Sequence, residues 1–235
     1  MENFEILMLH GRPAAGKSET IDFLSKTPLD KRLEQFHVGD FIVRDDFPIL
    51  WAWFEEDDIR DKLGQPRINS TPEGFFLYPY QWDILIEKLS LEYTKLKAEG
   101  APDTTVIEFA RGTQHGGYKR AYEHLSEEIL KKCAILYVEV TFEDSMRKNR
   151  RRKNTEKHHS ILEHSVEDEK MKTLYEFDDF REFTAQDPNY VTVKGHKVPY
   201  VIMDNHDDIT TVPGPELNKR LQEKMQKLYT LFTSK

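Results

Sequence analysis

Gly11, Gly16, Lys17 and Ser18 stand at the spacing G-x-x-x-x-G-K-[ST] in the stretch GRPAAGKS. In such a loop, backbone N–H groups turn inward around phosphate oxygens, and the following helix aims its positive end at them. Lys17 is placed to reach the β- and γ-phosphates of a nucleoside triphosphate, and the Ser18 hydroxyl to bind Mg²⁺. Glycine suits both ends of the loop because a Cβ would obstruct the turn or the approach of phosphate. The expected ligands are ATP and Mg²⁺, with the run Gly11, Arg12, Pro13, Ala14, Ala15, Gly16, Lys17, Ser18 and Glu19 in contact.

Further charges follow short apolar runs. Asp40 follows a run over 35–38 in HVGDFIVRDD, across from the loop, where a carboxylate can take the proton of an attacking alcohol or hold a Mg²⁺ water. Arg44, four residues on and so on the same helical face, suits an acceptor anion. VIEFARG places Glu108 near the Mg²⁺ position, as a second metal candidate beside Ser18, and Arg111 at the cleft mouth. In TFEDSMRKNRRRKN, Arg147 and Arg151 share a helical face and suit the charge that spreads over phosphate oxygens during transfer. The same basic run is open to reading as a solvated helix or a nucleic-acid patch. Asn205, with Asp204, follows the last apolar run, beside the adenine or simply in a turn.

The elements that must carry these groups alternate in type. Strands are predicted at 6–9, 35–38, 105–109, 134–140 and 198–203, with helices near 17–26, 79–98, 118–132, 143–152 and 214–233. That alternation predicts an α/β fold, a five-stranded parallel sheet with helices on both faces, and ligands at the carboxyl ends of its strands. The 235 residues suffice for one domain. A helical acceptor lobe is expected at about 41–98, where aromatic residues cluster, and a lid or insertion at about 147–197. YVTVKGHKVPYV reads as a hairpin around Lys194-Gly195.

Composition narrows the classes. With 42 acidic against 34 basic residues the net charge is −8, which argues against a general nucleic-acid binder. Cys133 is the single cysteine, so neither an internal disulfide framework nor a cysteine-rich zinc site is expected. No stretch approaches membrane-spanning length, and a cytoplasmic protein is the expectation. His158, His159, Glu163 and His164 invite a metal reading, but a zinc helix needs His where Ser160 stands, and His159 and His164, five apart, misalign on a helix. A lid closing over ATP, with Ser160, Glu163 and His164 near the ligand, accounts for the segment better; a structural or partner-binding insertion stays open.

GRPAAGKS, GDFIVR, VIEFARG and MRKNRRR, in that order, resemble the P-loop kinases of small molecules, in the nucleoside and nucleotide monophosphate kinase group. GDFIVR is similar to the Gly-Asp-x-x-Arg segment of adenylate kinases, which implies acceptor-phosphate binding at Arg44. Arg147 and Arg151 match the spacing of that group's lid arginines. The third motif departs from adenylate kinases, which have Asp-Gly-Phe-Pro-Arg there, so Arg111 falls one position early. The implied activity is transfer of the γ-phosphoryl of ATP·Mg²⁺ to a small, anionic acceptor, a nucleotide or nucleoside. A sugar, vitamin or drug hydroxyl is the alternative acceptor. A nucleotide-dependent switch or nucleic-acid-associated NTPase is the alternative from another class.

Overall fold

Short apolar runs of the chain form the centre of one sheet. The computed structural model describes residues 3–152 and 166–235. Strands β1 (Ile6–His10), β2 (Phe41–Asp45), β3 (Thr104–Phe109), β4 (Cys133–Glu139), β5 (Tyr190–Val193) and β6 (His196–Asp204) assemble in the order β2-β3-β1-β4-β6-β5. All are parallel except β5, which pairs antiparallel with β6. The expected count of five is therefore one short. The extra strand is the first arm of the hairpin, whose turn residues Lys194 and Gly195 have φ of 48° and 80°. Two consecutive positive φ values match the right-handed twist of the flanking strands.

Register and period together divide the core in two. Met8 lies between Ile107 and Ile135 in the sheet. With Ile6, these side chains face α4 (Gln81–Glu99), α5 (Gly117–His124) and α6 (Glu127–Lys132), where Ile86, Leu89, Tyr118, Tyr122 and Ile129 are buried. Leu7 and Leu9 point the other way with Val106, Leu136 and Val138, against Leu24 of α1 (Lys17–Lys26) and Leu221, Met225 and Leu228 of α10 (Pro215–Thr233). Burial on both faces explains why β1 reads as an unbroken apolar run rather than an alternating one. The helix expected over 118–132 is two helices, because the Ser126 hydroxyl accepts from the Ile129 N–H and starts α6 afresh.

The second strand is displaced from its predicted place. Residues 35–36 close α2 (Leu29–Phe36), which buries Arg32 and Phe36 on one face, one turn apart. His37 ends that helix in the left-handed region, and pairing with β3 begins only at Phe41. Phe36 and Val38 are core residues, but as a helix end and a connector.

Between β2 and β3 the chain makes α3 (Phe47–Lys62) and an aromatic-rich segment leading into α4. Asp57, fully buried, holds that segment: its carboxylate accepts from the N–H groups of Ile68, Asn69 and Ser70 and from the Ser70 hydroxyl. After β4 come α7 (Phe142–Arg152), α8 (Asp168–Tyr175) and α9 (Phe180–Phe183). Chain order reverses across β1, so a crevice opens at the carboxyl ends of β1, β3 and β4. No helix among the described residues is long and apolar enough to cross a membrane.

Candidate active site

β1 runs into the 11–16 turn, and α1 begins at Lys17. Gly11 and Gly16 have φ of 146° and 110°, and both are crowded from behind. A Cβ on Gly11 would lie 2.4 Å from the Val138 carbonyl, and one on Gly16 2.3 Å from the Thr210 hydroxyl. Two side chains tie loop carbonyls: the Asn205 amide donates to Ala15 O at 2.7 Å, and the Ser145 hydroxyl to Pro13 O at 2.7 Å. A trans peptide points its N–H away from its C=O. With those carbonyls tied outward, the N–H groups of Ala14 and Gly16 turn to the opposite side. Lys17, only 6% exposed, spans the turn by donating to Gly11 O and Arg12 O at 3.1 and 3.0 Å, with its Nζ 3.7 Å from Glu108.

This turn borders a cavity of about 320 Å³ lined by Lys17, Ser18, Asp45, Asp46, Glu108, Arg111 and Arg152, among others. Asp45 and Glu108 are register partners on neighbouring strands. Burial raises the pKa of Asp45, and the Glu108 and Asp46 carboxylates raise it further. Burial also raises Glu108, with Lys17 opposing and Asp46 adding to the rise. One Asp45 oxygen accepts the Phe47 N–H at the start of α3, at 3.0 Å. Arg111 is almost fully buried, 2.6 Å from Asp46, with its guanidinium over the rings of Trp82 and Phe109.

Several predicted residues fall elsewhere. Asp40 is exposed and precedes β2, with its amide on Asp103 and its carbonyl on the Thr104 N–H. It stands at the amino end of the sheet, about 16 Å of strand from the cavity, so it is not across from the loop. The acidic residue that reaches that place is Asp45, at the end of the strand as it actually runs. Arg44 lies on a strand, not a helix, and alternation turns it to the far face, 3.5 Å from Glu92 of α4. Asn205 is wholly buried behind the loop, bonded to Ala15 and Thr210, so its side chain is a brace for the turn. Arg12 is tied to Asp178 and the Glu176 carbonyl.

The basic helix is largely neutralised in place. Arg147 pairs with Asp144 at 2.8 Å, Arg150 with Asp168 at 2.8 Å, Arg151 with Asp208, and Arg152 with Glu19. Arg151, Arg152, Glu19 and Gly16 border a smaller cavity of about 160 Å³ beside the loop, whereas Arg147 borders neither cavity. Each of these cations would have to leave its carboxylate before meeting a nucleic-acid backbone. His158, His159, Ser160, Glu163 and His164 lie outside the described residues.

The oxygen donors on this cavity suit a hard cation such as Mg²⁺: Ser18, Asp45 and Glu108. The mutual repulsion that raises the two carboxylates is what a cation beside them would relieve. Among the described residues no group of three His, Cys, Asp or Glu side chains is arranged to hold a metal alone. A cation here would take its other ligands from phosphate oxygens and water. Asp45 and Asp46 were legible in FIVRDD, but only once the strand is moved. Trp82 and Tyr175, which also line the cavity, carry no signal beyond aromatic character.

No family model matches the chain, and no curated protein sequence matches it. Among solved structures it is similar to a sugar kinase from Janibacter, at 11% identity over 97% of this chain and 98% of that one, TM-score 0.42. A shikimate kinase from Acinetobacter baumannii, solved with shikimate, matches at 14% identity over 99% and 95%, TM-score 0.43. A Thermus thermophilus protein matches at 11% identity over 98% and 97%, TM-score 0.48. Likenesses this distant say nothing of the substrate.

Proposed function

We propose that the chain is a phosphotransferase that moves the γ-phosphoryl of ATP to the hydroxyl of a small molecule. The observation that carries this reading is the juxtaposition of the glycine-bounded turn and Lys17 with the Asp45–Glu108 pair across one cavity. The turn supplies N–H groups and the α1 N-terminus to phosphate oxygens, and Lys17 leaves its carbonyl partners to follow the γ-phosphoryl. Ser18 and Glu108 would hold Mg²⁺, which would neutralise charge on the phosphate oxygens.

Asp45, not Asp40, orients the acceptor hydroxyl and takes its proton as the acceptor oxygen attacks phosphorus. The β–γ bridging P–O bond breaks and ADP departs with its electrons. Arg152 lines the same cavity and steadies charge there. Arg151 and Arg147 join it on leaving Asp208 and Asp144. α3 with the aromatic segment holds the acceptor.

The test is ADP release from purified protein with ATP and Mg²⁺ across an acceptor panel. Lys17→Ala is expected to lower transfer by ~10²–10³-fold, as for loss of one transition-state contact, with circular dichroism unchanged. Undiminished turnover in that variant would refute the reading.

A further inference from the structure

A second cavity, of about 440 Å³, adjoins the first, and Phe47, Leu50, Trp82, Val166 and Tyr175 line both. Its walls are aromatic. Phe76 sets its edge on Trp82 at 4.8 Å and on Phe54 at 5.2 Å, and Phe47 stacks on Trp51. Trp82 is in turn stacked on His115, centroids 3.8 Å apart. We infer that this cavity seats the phosphoryl acceptor, and that the acceptor is an aromatic alcohol carrying no negative charge. The inference rests on the phosphotransferase reading and narrows it.

Charge argues against an anionic acceptor. The described cations lining the two cavities are Lys17, Arg111, Arg152 and Lys170. Lys17 belongs to the phosphate side. Arg111 is paired with buried Asp46, Arg152 with Glu19, and Lys170 lies 3.6 Å from Glu167. Breaking the buried Arg111–Asp46 pair to capture a phosphate would strand a carboxylate out of water. Outward, the aromatic cavity continues into a mouth lined by Glu55, Asp58, Glu73, Glu167 and Glu169. Arg67 at that mouth is already held by Asp58 and Asp61. An anion there faces five carboxylates against two cations, Arg67 and Lys170, each beside a carboxylate. The sequence expectation of an anionic acceptor rested on Arg44 and Arg111; one is turned away and the other is neutralised.

Polarity disfavours a sugar. Hydroxyls moved from water into an aromatic cavity need partners there, and each one left without a partner weakens binding. Apart from the Glu167–Lys170 pair, the described polar side chains on the wall are Gln114, His115, Thr173, Tyr78 and Tyr175, with the indole N–H groups of Trp51 and Trp82. His115 is buried, and burial with the Arg111 charge keeps it unprotonated. Gly112 N–H donates to its Nδ1 at 3.4 Å, so Nε2 carries the ring proton, and Nε2 has no partner. That pattern suits a flat ring with a few acceptor atoms. The volume lies within the ordinary range for small ligands, and the opening toward Asp45 places a hydroxyl on that ring's substituent at the phosphate side.

The test is calorimetry on the full chain with saturating ADP and Mg²⁺, using thymidine, tyramine and 2-phenylethanol against thymidine 5′-monophosphate and glucose. ADP formation from ATP is followed with the same compounds. At least one of the three aromatic alcohols is expected to bind tenfold or more tighter than either control and to accelerate ADP formation. Thr173→Trp, at an exposed position on the cavity wall, should weaken that binding at least tenfold and leave the heat of ATP binding unchanged. Tighter binding of the monophosphate or glucose, no binding of any aromatic alcohol at millimolar concentration, binding without acceleration, or indifference to Thr173→Trp would each overturn the inference. Absence of an ATP heat in the unaltered chain instead sinks the phosphotransferase reading itself, so the two failures are told apart.

Discussion

Asp45 and Glu108 are register partners on adjacent parallel strands, and both face the cavity that Lys17 closes. Neighbouring strands run about 4.8 Å apart, so the two carboxylates are held close by the backbone itself. Asp45→Asn should therefore lower transfer to an alcohol by ~10²–10⁴-fold, the scale of a lost general base, with ATP affinity within a few-fold of normal. Asp40→Asn, at the far end of the same strand, should keep near-normal turnover. Steady-state kinetics on the two variants decide between them, and a reversed ranking would return the role to Asp40.

The contrast between these residues shows where the sequence was legible. Around β1 every signal agreed: an apolar run buried on both faces, glycines where φ is positive, then a helix beginning at Lys17. Around β2 two patterns competed. Phe36 and Val38 are core residues and alternate like a strand, yet Arg32 and Phe36 form a helical face one turn apart, and the helix prevails. The real strand, FIVRD, carries an arginine because an edge strand can turn one residue to a solvated partner, here Glu92. A shift of a few residues then moved the expected acid from Asp45 to Asp40. The aromatic residues of 41–98 were legible as an acceptor lobe, but not the shape of the cavity they line, since that depends on how Asp57 ties residues 68–70 back onto α3.

Asn205 braces the loop from behind. Its amide holds the Ala15 carbonyl and the Thr210 hydroxyl, and its own oxygen accepts the Thr210 N–H at 3.3 Å. Asn205→Ala leaves these buried groups unpaired, so a loss of about 1–3 kcal/mol of stability is expected. Nucleotide affinity should fall as well, because the peptide that presents the Gly16 N–H is no longer fixed. Urea denaturation alongside ATP calorimetry checks both; a fall in affinity with unchanged stability would instead place the side chain on the nucleotide.

Asp208 gathers Lys148, Arg147 and Arg151. Burial alone would raise its pKa, but hydrogen bonds from Thr211, Lys148 and Arg151 outweigh that and bring it to about 2. Its φ of 61° is one that asparagine also tolerates, so Asp208→Asn keeps the backbone. The variant should lose stability, about 3 kcal/mol, because buried Lys148 is left without its carboxylate. If Arg151 serves the phosphates, the same variant should bind ATP several-fold tighter, since phosphate no longer competes with Asp208. Thermal melts and calorimetry with ATP read the two effects separately, and weaker ATP binding would remove Arg151 from the site.

Glu5 sets an acid limit on the fold at the opposite end of the sheet. Burial would raise its pKa, yet hydrogen bonds from Lys132, Lys97 and Tyr93 together lower it to about 2 from the usual 4.5. A carboxylate lowered on folding stabilises the native state above its unfolded pKa, and that contribution fades as pH falls toward the folded value. Stability from Glu5 should thus be fully present at neutral pH and disappear between about pH 4.5 and 2. With 41% of the side chain exposed, solvent screening holds the contribution to about 1 kcal/mol. Glu5→Gln should lower the melting temperature by a few degrees at pH 7, and the gap to the unaltered protein should close as the pH is taken down to 2.5. A gap that stayed constant with pH would mean that Glu5 acts through packing and its hydrogen bonds, not through its charge.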